Sequence, residues 1–162
     1  MSGLRGFEFL LYFSKVNFIN KLSAGIFSID KLPHILKEKH FLICNLSPSN
    51  LPGSHWIAII RTEKNTLEVF NSLGVSNLDT LKSYFKFKNT FELLFNEQKF
   101  QSDSSVNCGY FCIYFIVQRL FNLDMSFEHL LEEIFNIDPN INDTLVTTFC
   151  QKLLNDNDDL FH

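Results

Sequence analysis

Short apolar runs alternate with polar turns through the middle of the chain. Residues 41–46 form a short, mainly apolar segment, as in a buried strand. Residues 47–54 contain two prolines and a glycine, which is typical of a loop. Residues 56–62 are apolar and rich in β-branched side chains, and residues 66–70 repeat the strand pattern after a turn-like Glu-Lys-Asn sequence. The pattern predicts a strand followed by a β-hairpin, with residues 91–95 as a further strand.

The second half of the chain has the pattern of helices. Residues 108–121, CGYFCIYFIVQRLF, are almost wholly apolar and long enough for a central buried helix. Ser105 and Asn107 are its candidate N-cap residues, because either side chain can accept a hydrogen bond from a free N–H of the first turn. Residues 126–135 and 144–154 are amphipathic and predict helices that pack on the core, separated by an Asp-Pro sequence.

These elements together indicate an α+β domain with a small, central, mostly antiparallel sheet flanked by helices. The length of 162 residues is typical of one domain, so we assign residues 1–162 to a single unit. Residues 7–13 are apolar apart from Glu8 and predict a buried helix or strand rather than a secretory signal. No stretch approaches the roughly 20 apolar residues that a membrane-spanning helix needs, and we expect no membrane partner.

Charge and cysteine content narrow the functional classes. The net charge of −4 provides no general electrostatic attraction to nucleic acid, which is therefore not expected as a partner. The cysteines are sparse and lie among apolar neighbours, which is typical of free thiols in a reducing, intracellular compartment. They are Cys44, Cys108, Cys112 and Cys150.

Cys108 is the candidate nucleophile, because it lies at the predicted N-terminus of the central helix. A cysteine attacks as its thiolate, and a helix N-terminus with a nearby imidazole can lower the thiol pKa from about 8.5 to roughly 3.5–7.5. Gly109 keeps a side chain away from the approach to the sulfur, and the backbone N–H of Cys108 would face an incoming carbonyl oxygen. The alternative is that Cys108 is a small buried residue at the start of an apolar helix. Cys112, one turn further on, has the position of a core residue.

Three polar residues can complete an acyl-transfer site around Cys108. His55 precedes a predicted strand, and a neutral imidazole there would take the thiol proton and later protonate the leaving amine. Asn71 ends the neighbouring strand and could accept a hydrogen bond from the other imidazole nitrogen. Gln101, in the loop before the helix, could donate an amide N–H to the developing oxyanion. Each residue alone also has an ordinary structural explanation, so only the combination indicates chemistry.

The order of these residues resembles that of a known family. The segments GSHWIAII, LEVFNSLG and FQSDSSVNCGYFCIYF are similar to three parts of the adenovirus protease and its relatives in Polinton/Maverick elements and virophages. Those parts are the His-Trp strand, the strand end with an acidic residue, and the Gln loop with its Cys-Gly helix start. The separation of seven residues between Gln101 and Cys108 also matches. AGIFSIDKLP and ICNLSPSNLPGSHW resemble the Polinton-type sequences in particular, so the resemblance covers residues 18–117.

The resemblance implies a cysteine protease with the papain-like, adenain-like core shared by the SUMO and ubiquitin-like-protein proteases. The four active-site positions would hold His55, Asn71, Gln101 and Cys108. Trp56 would line a narrow substrate channel, with Gly109 as a second substrate-binding residue. Family members cleave viral structural precursors at small-residue, Gly-containing sites, so the implied substrate is a capsid precursor during virion maturation. The implied setting is the cytoplasm or nucleus of an infected host cell, or the virion itself, and we expect a monomer.

Two departures from the family pattern matter. Asn71 stands where the family usually carries Asp or Glu; an amide can orient His55 but cannot stabilise the imidazolium by charge, which would reduce activity. Adenovirus enzymes use a disulfide-linked viral peptide and DNA as cofactors, but no Cys lies between Asn71 and Gln101. We therefore carry over neither cofactor and expect none.

Three other functions fit parts of the sequence. A zinc site would need more than Cys108 and Cys112, and the chain has neither a CxxC pair nor HExxH, so no metal is expected. A deconjugating protease for ubiquitin-like modifiers would keep the same site residues and change the substrate. A catalytically weak peptide-binding module would explain Asn71 as the mark of lost catalysis.

Overall fold

The computed structural model describes residues 3–74 and 91–156. Two short helices come first, α1 (Glu8–Ser14) and α2 (Asn17–Leu22), followed by β1 (Ser23–Ser28) and one 3₁₀ turn (Ile29–Lys31). The next strands are β2 (Phe41–Asn45), β3 (Trp56–Glu63), β4 (Thr66–Phe70) and β5 (Glu92–Phe95). The later helices are α3 (Cys108–Phe121), α4 (Phe127–Ile134) and α5 (Pro139–Asn155). The described part of the chain is α+β, as predicted.

The five described strands form one sheet in the order β1-β2-β3-β4-β5. β3 is antiparallel to both of its neighbours, but β1 is parallel to β2 and β5 is parallel to β4. The prediction of a mostly antiparallel sheet is therefore wrong, and the sheet is mixed. The connections explain the difference, because residues 29–40 and 71–91 are long enough to return the chain to the same end of the sheet, as parallel pairing requires.

The central strands are buried on both faces of the sheet. The larger hydrophobic core includes Phe41, Ala58 and Phe70, together with side chains from α1, α3 and α5. The smaller core includes Leu42 and Ile59 and covers the opposite face. Successive side chains of a strand point to opposite faces, so a strand buried on both sides is a continuous apolar run. This explains why the sequence of β3 shows no polar alternation where the hairpin was predicted.

Helix α3 crosses the larger core over the range that the sequence predicts. It packs against β3 and α5. Neither predicted N-cap side chain caps the helix: Asn107 is at the N-cap position, but its Nδ2 lies 3.3 Å from Thr147 Oγ1, and Ser105 Oγ accepts from the Asn107 N–H. The Asn107 backbone, at φ −88° and ψ 12°, is not in the extended conformation from which a cap side chain reaches the first turn.

The last two helices pack on the core close to their predicted positions. Helix α4 has Ser126 as its N-cap, whose side chain accepts a hydrogen bond from the His129 N–H. Helix α5 begins at Pro139, five residues before the predicted start at 144. Asp138 is its N-cap and Pro139 lies in the first turn, where a missing N–H costs little, so the Asp-Pro sequence starts the helix. None of the helices in the described ranges is long and apolar enough to cross a membrane.

A buried ion pair joins α3 to the sheet. Arg119 Nε lies 2.7 Å from Glu68 Oε2, and Arg119 Nη2 lies 2.8 Å from Glu68 Oε1. Both side chains are 3% exposed. Arg119 Nη1 also donates to the main-chain oxygens of Asn122 and Met125. The pair fixes the orientation of α3 relative to β4, and with it the position of Cys108 at the other end of the helix.

Candidate active site

An open cavity of about 660 Å³ lies between the start of β3 and the start of α3. Residues 3–6 and part of the loop 47–54 contribute to its walls. Asn71 does not line the cavity but is hydrogen-bonded to His55, which does. Four of the predicted site residues, which are far apart in the sequence, line the cavity together: His55, Trp56, Gln101 and Cys108.

Cys108 is the first residue of α3 and is 9% exposed. Burial raises the pKa of its thiol above the ordinary value, and the backbone N–H groups of Trp56, Gly109 and Cys108 itself offset this only in part. The lowered pKa expected at a helix N-terminus is therefore not found, because the loss of solvation outweighs the nearby N–H groups. In the free protein Cys108 is mainly a neutral thiol at pH 7.

His55 is fixed at the start of β3 by its main chain and by its side chain. Its carbonyl oxygen accepts a hydrogen bond from Leu46 N at 2.9 Å, and its Nε2 lies 2.7 Å from Asn71 Oδ1. Asn71 Oδ1 also accepts from the backbone N–H of Leu73, so the Asn71 atom that faces His55 must be the oxygen. His55 Nε2 therefore carries the proton, and Nδ1 is left as the acceptor of the neutral ring.

The charge states of the two candidate reacting groups follow from their burial. Burial lowers the pKa of His55, while the hydrogen bond to Asn71 raises it by a smaller amount, so the imidazole is neutral at pH 7. Among the hydrogen bonds of the described residues, none joins His55 to Cys108 Sγ. A neutral base and a neutral thiol thus share the cavity, and proton transfer would require them to approach each other.

Asn71 directly follows β4, and its main chain is held by Asn96, which directly follows β5. Asn71 N donates to Asn96 Oδ1 at 2.9 Å, and Asn96 Nδ2 donates to Asn71 O at 2.7 Å. Asn96 is a positioning residue that the sequence pattern did not single out. Asn96 could have been identified from the sequence, because it directly follows a predicted strand, as Asn71 does. Because β4 and β5 are parallel neighbours, their ends meet at the same edge of the sheet.

Gln101 is held in the loop before α3 with one side-chain N–H to spare. It is 2% exposed, and its Oε1 accepts from Ser72 Oγ at 2.6 Å while its Nε2 donates to Ser105 O at 2.9 Å. A carbonyl oxygen only accepts, so the contact with Ser105 fixes which end of the amide is nitrogen. Gln101 lines the cavity, and the second N–H of its Nε2 makes no hydrogen bond among the described residues, which is compatible with the predicted oxyanion role.

Trp56 is tied to the segment that precedes α1. Its Nε1 donates to Leu4 O at 2.8 Å, and its ring meets Phe9 edge-on, with ring centroids 5.0 Å apart. A side chain at Gly109 would begin 2.9 Å from the Leu4 side chain. Gly109 does not line the cavity, so its missing side chain makes room for Leu4 rather than opening the approach to the sulfur.

All four cysteines are free thiols, as predicted. Cys112 is fully buried in the larger core, also as predicted. Burial raises the pKa of the Cys44 thiol to about 12 and raises those of Cys112 and Cys150 as well. In residues 3–74 and 91–156, no group of three or more His, Cys, Asp or Glu side chains is arranged to hold a metal ion.

No protein-family model matches the chain, and no curated protein sequence matches it significantly.

Proposed function

We propose that the protein is a cysteine endopeptidase with Cys108 as nucleophile and His55 as general base. One observation carries the proposal: the 2.7 Å contact between His55 Nε2 and Asn71 Oδ1 leaves Nδ1 as a proton acceptor in a residue that shares its cavity with Cys108. Asn71 takes the orienting role that an amide has in papain-like enzymes. The resemblance of the motifs to the adenovirus protease family supports the same assignment.

The proposed reaction hydrolyses a peptide bond in two steps. His55 Nδ1 takes the thiol proton as Cys108 Sγ attacks the carbonyl carbon, and Gln101 Nε2 and the Cys108 N–H donate to the resulting oxyanion. The imidazolium gives its proton to the leaving amine, and a thioester remains. His55 then removes a proton from water, whose oxygen attacks the thioester. Collapse of this second intermediate releases the carboxylic acid product and returns the proton to the Cys108 thiolate.

The charge state of the free site favours substrate binding before proton transfer. The raised pKa of Cys108 and the lowered pKa of His55 both disfavour a thiolate–imidazolium pair. Asn71 supplies no negative charge to stabilise the imidazolium. A bound substrate that excludes water and draws the two groups together would change this balance. The reactivity of Cys108 in the free protein is therefore expected to understate its reactivity toward a bound substrate.

We propose as substrates the structural precursor proteins of a virus or viral element, cut at Gly-containing sites during capsid maturation inside the host cell. The preference for small residues next to the cut bond is supported by Trp56, which lines the cavity of Cys108 and whose indole is held in place by Leu4 and Phe9. The viral role is supported by the motif resemblance. The proposed enzyme is a monomer that works without a cofactor.

The test uses the purified protein with a library of Gly-containing peptides and with ubiquitin and SUMO fusion reporters, and mass spectrometry identifies each cut bond. Wild-type protein should cut Gly-containing peptides, and Cys108→Ala should cut none. Cys112→Ala, which changes the buried cysteine one turn further on, is the matched control and should remain active. Unchanged cleavage by Cys108→Ala would overturn the mechanism, and cleavage of the fusion reporters alone would replace capsid maturation by deconjugation.

A further inference from the structure

Asn45 is the last residue of β2 and lines the cavity of Cys108 although it is only 6% exposed. Its Oδ1 accepts hydrogen bonds from Ser47 N at 2.9 Å and from Ser54 N at 3.3 Å. These two residues are the first and last of the loop 47–54, which leads directly into His55. The Asn45 side chain therefore closes the loop that places the candidate base.

The same two contacts fix the orientation of the Asn45 amide. Backbone N–H groups only donate, so the atom that faces Ser47 and Ser54 must be the oxygen, and the other must be Nδ2. In the described part of the chain, the side-chain hydrogen bonds of Asn45 are both made by Oδ1, and Nδ2 makes none. Asn45 thus has two N–H groups at the wall of the cavity that no described residue accepts.

Two other buried asparagines use their Nδ2 atom within the protein. Asn96 Nδ2 donates to two main-chain oxygens, and so does Asn142 Nδ2. Asn71 Nδ2 also has no acceptor among the described residues, but Asn71 does not line the cavity. Among the described residues, the buried side-chain polar atoms that lack a partner are Ser23 Oγ and Asp143 Oδ1, so Asn45 Nδ2 is open to the water of the cavity. A carbonyl oxygen of a ligand can take the place of that water as the acceptor.

Gly53 gives the Asn45 amide its space. A Cβ added at Gly53 would lie 2.9 Å from Asn45 Nδ2, closer than a side-chain carbon can come without a shift. Gly53 also lines the cavity. An alanine at this position would therefore displace the donor while leaving its chemistry unchanged.

We propose that Asn45 is a substrate-binding residue of the Cys108 site, with Nδ2 donating to a main-chain carbonyl oxygen of the bound peptide. Oδ1 meanwhile holds the loop before His55, so that one side chain aligns the peptide with the base. A carbonyl oxygen is the acceptor that every residue of a peptide offers, so this contact orients a substrate without selecting its side chains. The inference rests on the proposed protease function.

The test compares two reagents that alkylate Cys108. Iodoacetamide reports the reactivity of the thiol alone, whereas acetyl-Gly-Gly chloromethyl ketone also offers peptide carbonyl oxygens. The ratio of the two rates isolates peptide recognition, because a change in thiolate fraction affects both reagents alike. Asn45→Asp keeps an oxygen for Ser47 and Ser54 but has no N–H to donate, and it should lower the ratio by up to about tenfold.

Two further variants complete the experiment. Gly53→Ala should lower the ratio in the same direction, and it provides the test if Asn45→Asp does not fold. Asn50→Asp makes the same chemical change at an exposed position of the same loop and should leave the ratio as in wild type. A wild-type ratio in folded Asn45→Asp and Gly53→Ala would overturn the role of Asn45 alone. A wild-type Cys108 that reacts with neither reagent would overturn the protease function as well.

Discussion

The main-chain oxygen of Leu4 lies 2.8 Å from Trp56 Nε1, so the segment before α1 is hydrogen-bonded to the residue beside the candidate base. The Leu4 side chain also fills the space over Gly109, next to the candidate nucleophile. Residues 3–6 therefore form a wall of the cavity through contacts at both ends of the site. This relationship makes the position of Trp56 dependent on a segment far from it in sequence.

Trp56→Phe should loosen residues 3–6 while keeping an aromatic ring in place. The variant loses the hydrogen bond to Leu4 O, so trypsin should cut after the exposed Arg5 up to about tenfold faster than in wild type. Cleavage after Lys37, an exposed site in another loop, is the internal control and should not change. An unchanged rate after Arg5 would contradict the prediction, and equal acceleration at both sites would indicate general destabilisation.

Cys108 should be the first cysteine to react with iodoacetamide, because the other three are buried and do not line its cavity. Since burial raises the pKa of Cys108, its thiolate fraction should grow with pH around a midpoint above the ordinary value of about 8.5. Mass spectrometry after alkylation at a series of pH values measures each cysteine separately. A midpoint well below pH 8 that moves upward in His55→Ala would instead show a thiolate–imidazolium pair in the free protein.

Asn71→Asp should preserve or raise cleavage. Asn71 Oδ1 accepts from His55 and from Leu73 N, and a carboxylate can keep both contacts. Its charge would raise the pKa of His55, so the acid limb of the kcat/KM profile should move to higher pH, because the base must be unprotonated. Asn71→Ala removes the acceptor and should lower kcat/KM by at least about tenfold. Loss of activity in a normally folded Asn71→Asp protein would argue against this orienting role.

Glu68→Ala should destabilise the fold by about 3–5 kcal/mol, because Arg119 would remain buried without its partner. Replacing both residues with Met removes both charges and should recover most of that loss. Urea unfolding measures the free energies. The exposed pair of Lys99 and Asp103 is the comparison, and Asp103→Ala should cost at most about 1 kcal/mol. Equal losses for the two pairs would show that burial does not decide the effect.

The elements with strong local patterns were predictable from the sequence. The hairpin was predictable because β3 and β4 are short apolar segments on either side of a turn, and α3 because its apolar run has the length of a helix and not of a strand. The proximity of His55, Asn71, Gln101 and Cys108 followed from motif order. Their chemical roles stay predictions.

Features that depend on distant contacts were not predictable in the same way. Strand β1 is irregular: Gly25 has a φ of +126° and lies beside a register shift. The sequence of β1 has no regular strand pattern from which the strand could be predicted. The free amide of Asn45 and the contact of Leu4 with Trp56 exist only because separate segments meet. The raised pKa of Cys108 likewise depends on how deeply the helix start is buried, which helix position alone does not determine.

The mixed sheet has a consequence for the order in which the protein folds. β3 and β4 are joined by a short turn. The parallel pairs β1–β2 and β4–β5 form only after long connections close, at a greater cost in chain entropy. The hairpin should therefore form early and the outer strands late. Asn96, which holds Asn71, follows β5, and residues 3–6, which form a wall of the cavity, are also separated from the hairpin by a long stretch of chain. The candidate site should therefore be completed late. During refolding, peptide cleavage should return after the far-ultraviolet circular dichroism signal of the secondary structure.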